Sequence, residues 1–216
     1  MKVGTDGVLL GAWATITSGN VLDIGTGTGL IAMMVAQRNK KTIIDAIELE
    51  EDAFIEAQKN IKNCDWAAKI DVHNGAIQAY QTAKKYDTIV SNPPFFINAT
   101  KAPRADRNLA RHTDKLSFDD LIDAVIRLLK PTGIFSLILP TTEAGQFIDL
   151  AKKKGLLLDR KCAVKPTPNK PAKRILMAFS FTAKAVVQEK ITIETEIRHQ
   201  YTKEYISLTK DFYLKF

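Results

Sequence analysis

Short apolar runs alternate with longer stretches of helical periodicity along most of the chain. Residues 20–25 (NVLDIG) form a continuous apolar run that stops at glycine, the pattern of a strand buried on both faces. Residues 30–37 then read as a helix, and residues 42–49 (TIIDAIEL) as a second strand. Across 51–63, Ala53, Phe54, Ala57 and Ile61 recur at helical spacing. A short strand at 69–73, a helix at 76–82 and a fourth strand at 86–91 (YDTIVS) follow. The strongest helix signal covers 116–129, with Ser117 placed to cap it and Pro131 and Gly133 to stop it. Residues 134–139 give a fifth strand, and 143–154 a helix closed by Gly155.

Beyond residue 155 the rhythm changes. Residues 156–164 and 174–181 are both strand-like, and the link between them holds Pro166, Pro168 and Pro171, which rule out a helix. Two strands joined by a loop predict an antiparallel pair at one edge of an otherwise parallel sheet. The β-α repetition before them predicts an α/β, doubly wound fold with its ligand at the carboxyl ends of the strands. The expected organisation is one domain over residues 1–183. An aromatic-rich tail, 184–216, is expected to dock on it.

Composition narrows the class. The 216 residues are 45% hydrophobic and 25% charged, which fits a globular chain and excludes disorder and fibrous repeats. Two cysteines are too few for a disulfide framework or a thiolate metal site, so no metal is expected. No apolar stretch reaches the roughly 18 residues of a membrane span. The first residues lack the basic-then-apolar order of a secretory signal, so a reduced, cytoplasmic setting is expected. The net charge of +7 is unevenly spread. Residues 1–100 carry 9 Lys/Arg against 11 Asp/Glu, whereas residues 101–174 carry 16 against 8. A segregated excess of this kind favours a polyanionic partner.

Candidate chemistry sits at two strand ends. The first strand runs into DIGTGTG, with Gly25, Gly27 and Gly29. Glycines there permit positive φ and close backbone approach, so the turn can cradle an adenosyl ligand. The spacing is G-x-G-x-G, with Leu30 where the dinucleotide fingerprint has its third glycine, which disfavours a nicotinamide oxidoreductase. Asp23 precedes the loop, and Glu48 ends the second strand where an acid can accept from both ribose hydroxyls. The fourth strand ends SNPPFF: Asn92, Pro93, Pro94, Phe95 and Phe96. An exocyclic amine on a base is a poor nucleophile, because its lone pair is delocalised into the ring. Two acceptors aimed at its N–H bonds localise that pair. Asn92 offers a side-chain carbonyl, Pro93 a backbone carbonyl at fixed φ, and Phe95 a flat face for stacking.

VLDIGTGTG followed by AIELE resembles motif I and the next acidic motif of class I S-adenosylmethionine-dependent methyltransferases, whose sheet has seven strands and a terminal antiparallel pair. NPPF resembles the (D/N/S)PP(Y/F) motif of amino methyltransferases. MKVGTDGVLLGAW, RNLARHTDKLSFDDL and the tail YTKEYISLTKDFYL resemble the bacterial tRNA1(Val) adenine-37 N6-methyltransferase family, so that the likeness covers nearly the whole chain. That resemblance implies S-adenosylmethionine as cofactor and tRNA as partner. It implies catalytic roles for Asn92, Pro93, Pro94 and Phe95. It also implies cofactor contacts from Lys2, Gly4, Thr5 and Asp6, and from Asp23, Gly25, Gly27, Gly29, Glu48, Leu49, Ala76 and Asn92. Ala76 stands where the family usually has an Asp, so the Gly75–Ala76 backbone or Asn74 must serve the adenine. Arg104, Arg107, Arg111, Lys173 and Arg174, with Phe95, are the expected RNA contacts. An rRNA base or a protein glutamine remains open as the amine, as does an RNA-binding module without activity.

Overall fold

The computed structural model describes residues 4–94 and 116–215. An opening helix α1 (Thr5–Trp13) precedes the expected alternation: β1 (Gly19–Ile24), α2 (Leu30–Arg38), β2 (Thr42–Glu48), α3 (Glu51–Lys62), β3 (Ile70–Asn74) and β4 (Tyr86–Ser91). After residue 115 come α4 (Phe118–Leu128), β5 (Leu129–Pro140), α5 (Thr141–Lys153), β6 (Leu157–Lys165), β7 (Arg174–Ser180), β8 (Val187–Thr192) and α6 (Lys203–Thr209). The strands form one sheet in the order β3-β2-β1-β4-β5-β7-β6-β8. β7 runs antiparallel to both neighbours, and the other pairings are parallel. The α/β, doubly wound class is as expected, with eight strands rather than seven. β8 takes the edge beside β6, where an antiparallel pair was expected to end the sheet. Its sequence, VQEKIT, is polar and largely exposed, so it lacks the apolar run that marks a buried strand.

Both faces of the sheet are covered. On one, Phe147 of α5 packs between Phe118, Phe135 and Phe179, with ring centroids 5.1–6.2 Å apart. On the other, Leu9, Leu10 and Trp13 of α1 join Val21, Ile31, Val35 and Ile138, all buried. α1 lies against α2 closely enough that a Cβ at Gly11 would meet Met34 Sδ at 2.6 Å. The α4 cap is as read from sequence, with Ser117 Oγ accepting from the Asp120 amide at 3.1 Å.

No helix forms at 76–82. Arg127 of α4 donates to the carbonyls of Ile77 (3.0 Å) and Tyr80 (2.7 Å), satisfying acceptors that a helix would have used itself. Tyr80 instead bonds Tyr86, whose hydroxyl donates to buried Asp45 at 2.7 Å. Burial pushes the Asp45 carboxyl up, but bonds from Tyr86, Lys84 and His73 outweigh it and hold the group below the ordinary range. The segment 76–82 thus folds over a polar knot rather than into the expected helix.

Candidate functional site

The carboxyl ends of β1, β2, β3 and β4 lie side by side, and the register fixes what meets there. Ile24 pairs with Ile47 and Ser91, Ile47 with His73, and Glu48 with Asn74. Gly25, Glu48, Gly75 and Asn92 therefore leave the sheet at one level. The Gly25 and Thr26 amides donate to Ile47 O at 2.9 and 3.0 Å, and the Gly75 amide to Glu48 O at 2.9 Å. Ser91 Oγ ties the end of β4 to Ile24 O at 2.9 Å.

The glycine loop needs its glycines. Gly25, Gly27 and Gly29 have φ of +71°, +59° and +87°, a region L side chains rarely adopt. A Cβ on Gly25 or Gly75 would meet nothing within 4 Å, so each backbone borders open space. Glu48 holds the loop from inside: one carboxylate oxygen accepts from the Gly27 amide at 2.7 Å, the other from the Glu50 amide at 3.0 Å. Each oxygen keeps a lone pair for a further donor. Asn60 of α3 adds a bond to Thr28 O at 3.0 Å.

Asp23 is fully buried beneath this loop. Its Oδ2 accepts from the Thr26 hydroxyl at 2.6 Å, while Oδ1 has no hydrogen-bond partner among the described residues. Burial pushes its pKa up to about 7, against the pull of Thr26 and the Ala32 amide, and the nearby Glu48 carboxylate adds to the rise. Asn92 shows a second orphan. Its Oδ1 is buried without a partner among the described residues. Unsatisfied buried acceptors are costly and rare, and these two, at the ends of β1 and β4, mark positions where a donor or a positive charge belongs. A cationic, hydroxyl-bearing adenosyl ligand fits this set: two ribose donors for Glu48, a positive charge for Asp23 and an open backbone cradle at Gly25 and Gly75.

The remaining expected residues fall as follows. Leu49 is 40% exposed beside Glu48. Asn74 turns its side-chain amide back onto Glu48 O (3.1 Å) and Leu49 O (3.3 Å), so it braces β2 with its nitrogen, and Ala76 is half-buried next to it. Gly4 caps α1 in extended conformation and Thr5 is exposed. Pro93 is buried and Pro94 exposed. Lys173 is exposed, and its backbone links Val164 and Thr141 at the same sheet edge. Arg174 follows it opposite Pro140, and its Nε donates to Asp6 at 2.7 Å. The guanidinium expected on RNA is thus bonded to the first turn of α1. Lys2, Phe95, Phe96, Arg104, Arg107 and Arg111 lie outside the described residues. The Asp6–Arg174 pair and the Thr26 hydroxyl were not foreseen. Neither has a local signal, since one spans 168 positions and the other depends on the loop's turn.

Comparison with known proteins bears on the family and the fold. Residues 3–139 match the family model of the methyltransferase small domain. The tRNA1(Val) (adenine(37)-N6)-methyltransferase of Pseudoalteromonas translucida is 46% identical over 216 residues, which is 100% of this chain and 92% of that protein. The protein of the same name from Trichodesmium erythraeum is 47% identical with the same coverages. Among solved structures, a protein of Agrobacterium tumefaciens described as a predicted O-methyltransferase superposes with a TM-score of 0.75 at 18% identity, covering 95% of this chain and 96% of its own. A glycopeptide N-methyltransferase solved with S-adenosylmethionine gives 0.60 at 14% identity, over 82% and 95%. These two likenesses concern the fold. No helix among the described residues is long and apolar enough to cross a membrane.

Proposed function

The chain belongs to the family of tRNA1(Val) (adenine(37)-N6)-methyltransferases, and from that premise we propose that it methylates the N6 amino group of adenosine 37 in tRNA1(Val), using S-adenosylmethionine, in the cytoplasm. The observation that carries this reading is the buried Oδ1 of Asn92 at the end of β4, without a partner among the described residues, beside a loop whose Asp23 holds a second such oxygen. The domain is residues 1–183, with 184–216 as a tail docked on it.

When bound, S-adenosylmethionine supplies an electrophilic methyl group on a sulfonium centre. Glu48 accepts from the ribose hydroxyls with the lone pairs left over from Gly27 and Glu50. The Gly25 and Gly75 backbones, which border open space, would admit the ligand closely, and Asp23 in its ionised form would offset its positive charge. Asn92 Oδ1 accepts one N–H of the adenine amine and the Pro93 carbonyl the other, which draws the nitrogen lone pair out of the ring. The nitrogen so held would be poised to form its bond to the methyl group as the cofactor's S–CH3 bond breaks, with neutral S-adenosylhomocysteine as leaving group and one N–H proton passing to solvent, so no side-chain base is needed. Pro93 and Pro94 hold the turn, and Phe95 is assigned base stacking by its place in the motif. Lys173 and the arginines at 104, 107 and 111 contact phosphates.

The decisive experiment incubates the protein with radiolabelled cofactor and total tRNA from a strain lacking the gene, then maps the product by mass spectrometry. N6-methyladenosine at position 37 of tRNA1(Val) is expected. Label on rRNA or on a protein glutamine, with none on tRNA, overturns the assignment.

A further inference from the structure

Resting on that reading, we propose that the turn at residues 194–201 and the proline-rich loop after β6 form one RNA-docking shelf, which grips the tRNA body away from the reacting base. The tail and the loop are joined by backbone. The Ile193 amide donates to Lys165 O and the Glu194 amide to Pro166 O, both at 2.9 Å, continuing the β6–β8 ladder past the strand ends. Asn169 Nδ2 adds a bond to Glu196 Oε1 at 3.0 Å.

The shelf faces the side where the reaction occurs. β6 points its carboxyl end the same way as β4, because only β7 between them is reversed. It stands three strands from β4, about 14 Å away at ordinary strand spacing. A single base in the Asn92 pocket does not reach that far, whereas a stem joined to it does.

The two acids of the shelf have partners within it: Glu196, itself exposed, accepts from Asn169, and Glu194 accepts from the His199 amide at 3.3 Å. Lys170, Lys173, Arg198 and His199 are exposed around them. Ile197 is 59% exposed beside Arg198, giving an apolar surface next to a cation, the combination that suits a base or sugar adjoining a phosphate. At the tip, His199 has φ of +65°, the left-handed region that favours glycine. Among the described residues it is the one non-glycine with positive φ. The strain is held by the Thr195–Gln200 bond at 2.7 Å and the Glu194–Tyr201 bridge. The strained conformation leaves the imidazole 72% exposed, with its Nδ1 3.9 Å from Glu194 Oε1.

The test measures binding of a full-length tRNA1(Val) transcript across a salt series, for wild type, a Lys170→Ala/Arg198→Ala double variant and His199→Gly. The double variant is expected to bind about tenfold more weakly, with a salt slope shallower by about 2, the share of two phosphate contacts. KM for tRNA rises with it, while the calorimetric affinity for S-adenosylmethionine is unchanged. On a short single-stranded oligonucleotide that carries the target adenosine but no stem, and so does not reach the shelf, wild type and variant bind alike. His199→Gly relieves the strain, so its melting temperature holds or rises while tRNA affinity falls. Equal tRNA affinity and salt slope in wild type and the double variant overturn the shelf and leave the proposed reaction standing. Failure of wild type to bind or methylate tRNA, with cofactor binding intact, overturns the reaction itself.

Discussion

At the β1–β3 end of the sheet, every polar group of the cleft comes from a strand terminus or from the turn that follows it. Asp23, Gly25, Gly27, Glu48 and Asn74 are held by neighbours within 26 positions, among them the Thr26 hydroxyl and the Gly27 amide. At the β6–β8 end the surface is assembled from afar. Trp13 Nε1 donates to Glu189 across 176 positions, Arg160 stacks 3.8 Å over the Trp13 ring, and Arg174 reaches back to Asp6. One end is a motif closed on itself. The other is a joint between the first helix and the last strand. A ligand site built the first way tolerates little change within a few residues, whereas a surface built the second way fails when any of several distant ties is cut.

The largest expected effect tests how self-contained the cofactor end is. Between about pH 3.8, the ordinary value, and about 7, folded Asp23 keeps a proton that the unfolded chain has released. Its contribution to stability is therefore full below that window and is lost as pH rises through it. Asp23→Asn cannot lose a proton, so relative to this variant the ligand-free wild type becomes less stable by at most about 4 kcal/mol from pH 4 to pH 8. Urea midpoints at both pH values measure it. A constant gap between the two proteins shows that Asp23 is ionised throughout.

Next comes the catalytic strand between the two ends. Asn92→Ala should lower turnover by about two to three orders of magnitude, roughly 3–4 kcal/mol, by analogy with losing one preorganised polar partner. Cofactor affinity, measured by calorimetry, is expected to stay within about twofold, because the role proposed for Asn92 is on the amine. Near-normal methylation by this variant removes Asn92 from the chemistry.

The same contrast explains what was legible in the sequence. The glycine loop, the two acids, NPPF and the core strands are local signals, and each lies at a strand end that a β-α rhythm locates. α1 was hidden because TDGVLLGAW is apolar all round, with seven of its nine residues buried, and so shows no amphipathic face. β8 was hidden for the opposite reason, since an exposed edge strand of mixed charge has no apolar face to read. The stretch 76–82 departs from the expected helix because the Ile77 and Tyr80 carbonyls serve Arg127 and the Tyr80 hydroxyl serves Tyr86. Each departure is a place where a partner distant in sequence decides the conformation.

On the distal side, Lys173→Glu should weaken tRNA binding about tenfold and flatten its salt dependence, because an exposed lysine at the carboxyl edge is replaced by a charge that repels phosphate. Cofactor affinity should not move. Binding titrations at 50 and 200 mM salt separate a lost phosphate contact from a folding defect, which leaves the slope of the remaining folded protein unchanged.

The smallest effect probes the joint itself. Glu189→Ala removes the 2.7 Å bond from Trp13 Nε1 and the 3.8 Å approach of Arg160 Nε. Glu189 and Arg160 are partly exposed whereas Trp13 is buried, so water replaces part of what is lost, and about 1 kcal/mol of stability is expected to go. The informative quantity is where that loss falls. Arg160 also donates to Trp13 O at 2.7 Å and Arg38 to Gly11 O and Ala14 O, so the end of α1 stays anchored. β8, by contrast, pairs only with β6, and Glu189 sits at its middle opposite Cys162. Amide exchange in Glu189→Ala should therefore quicken in β8 and the 193–202 segment while β1 and the glycine loop keep their protection. Tighter coupling, with exchange rising at both ends, means that the cofactor site leans on the tail after all and is less self-contained than its local bonds suggest.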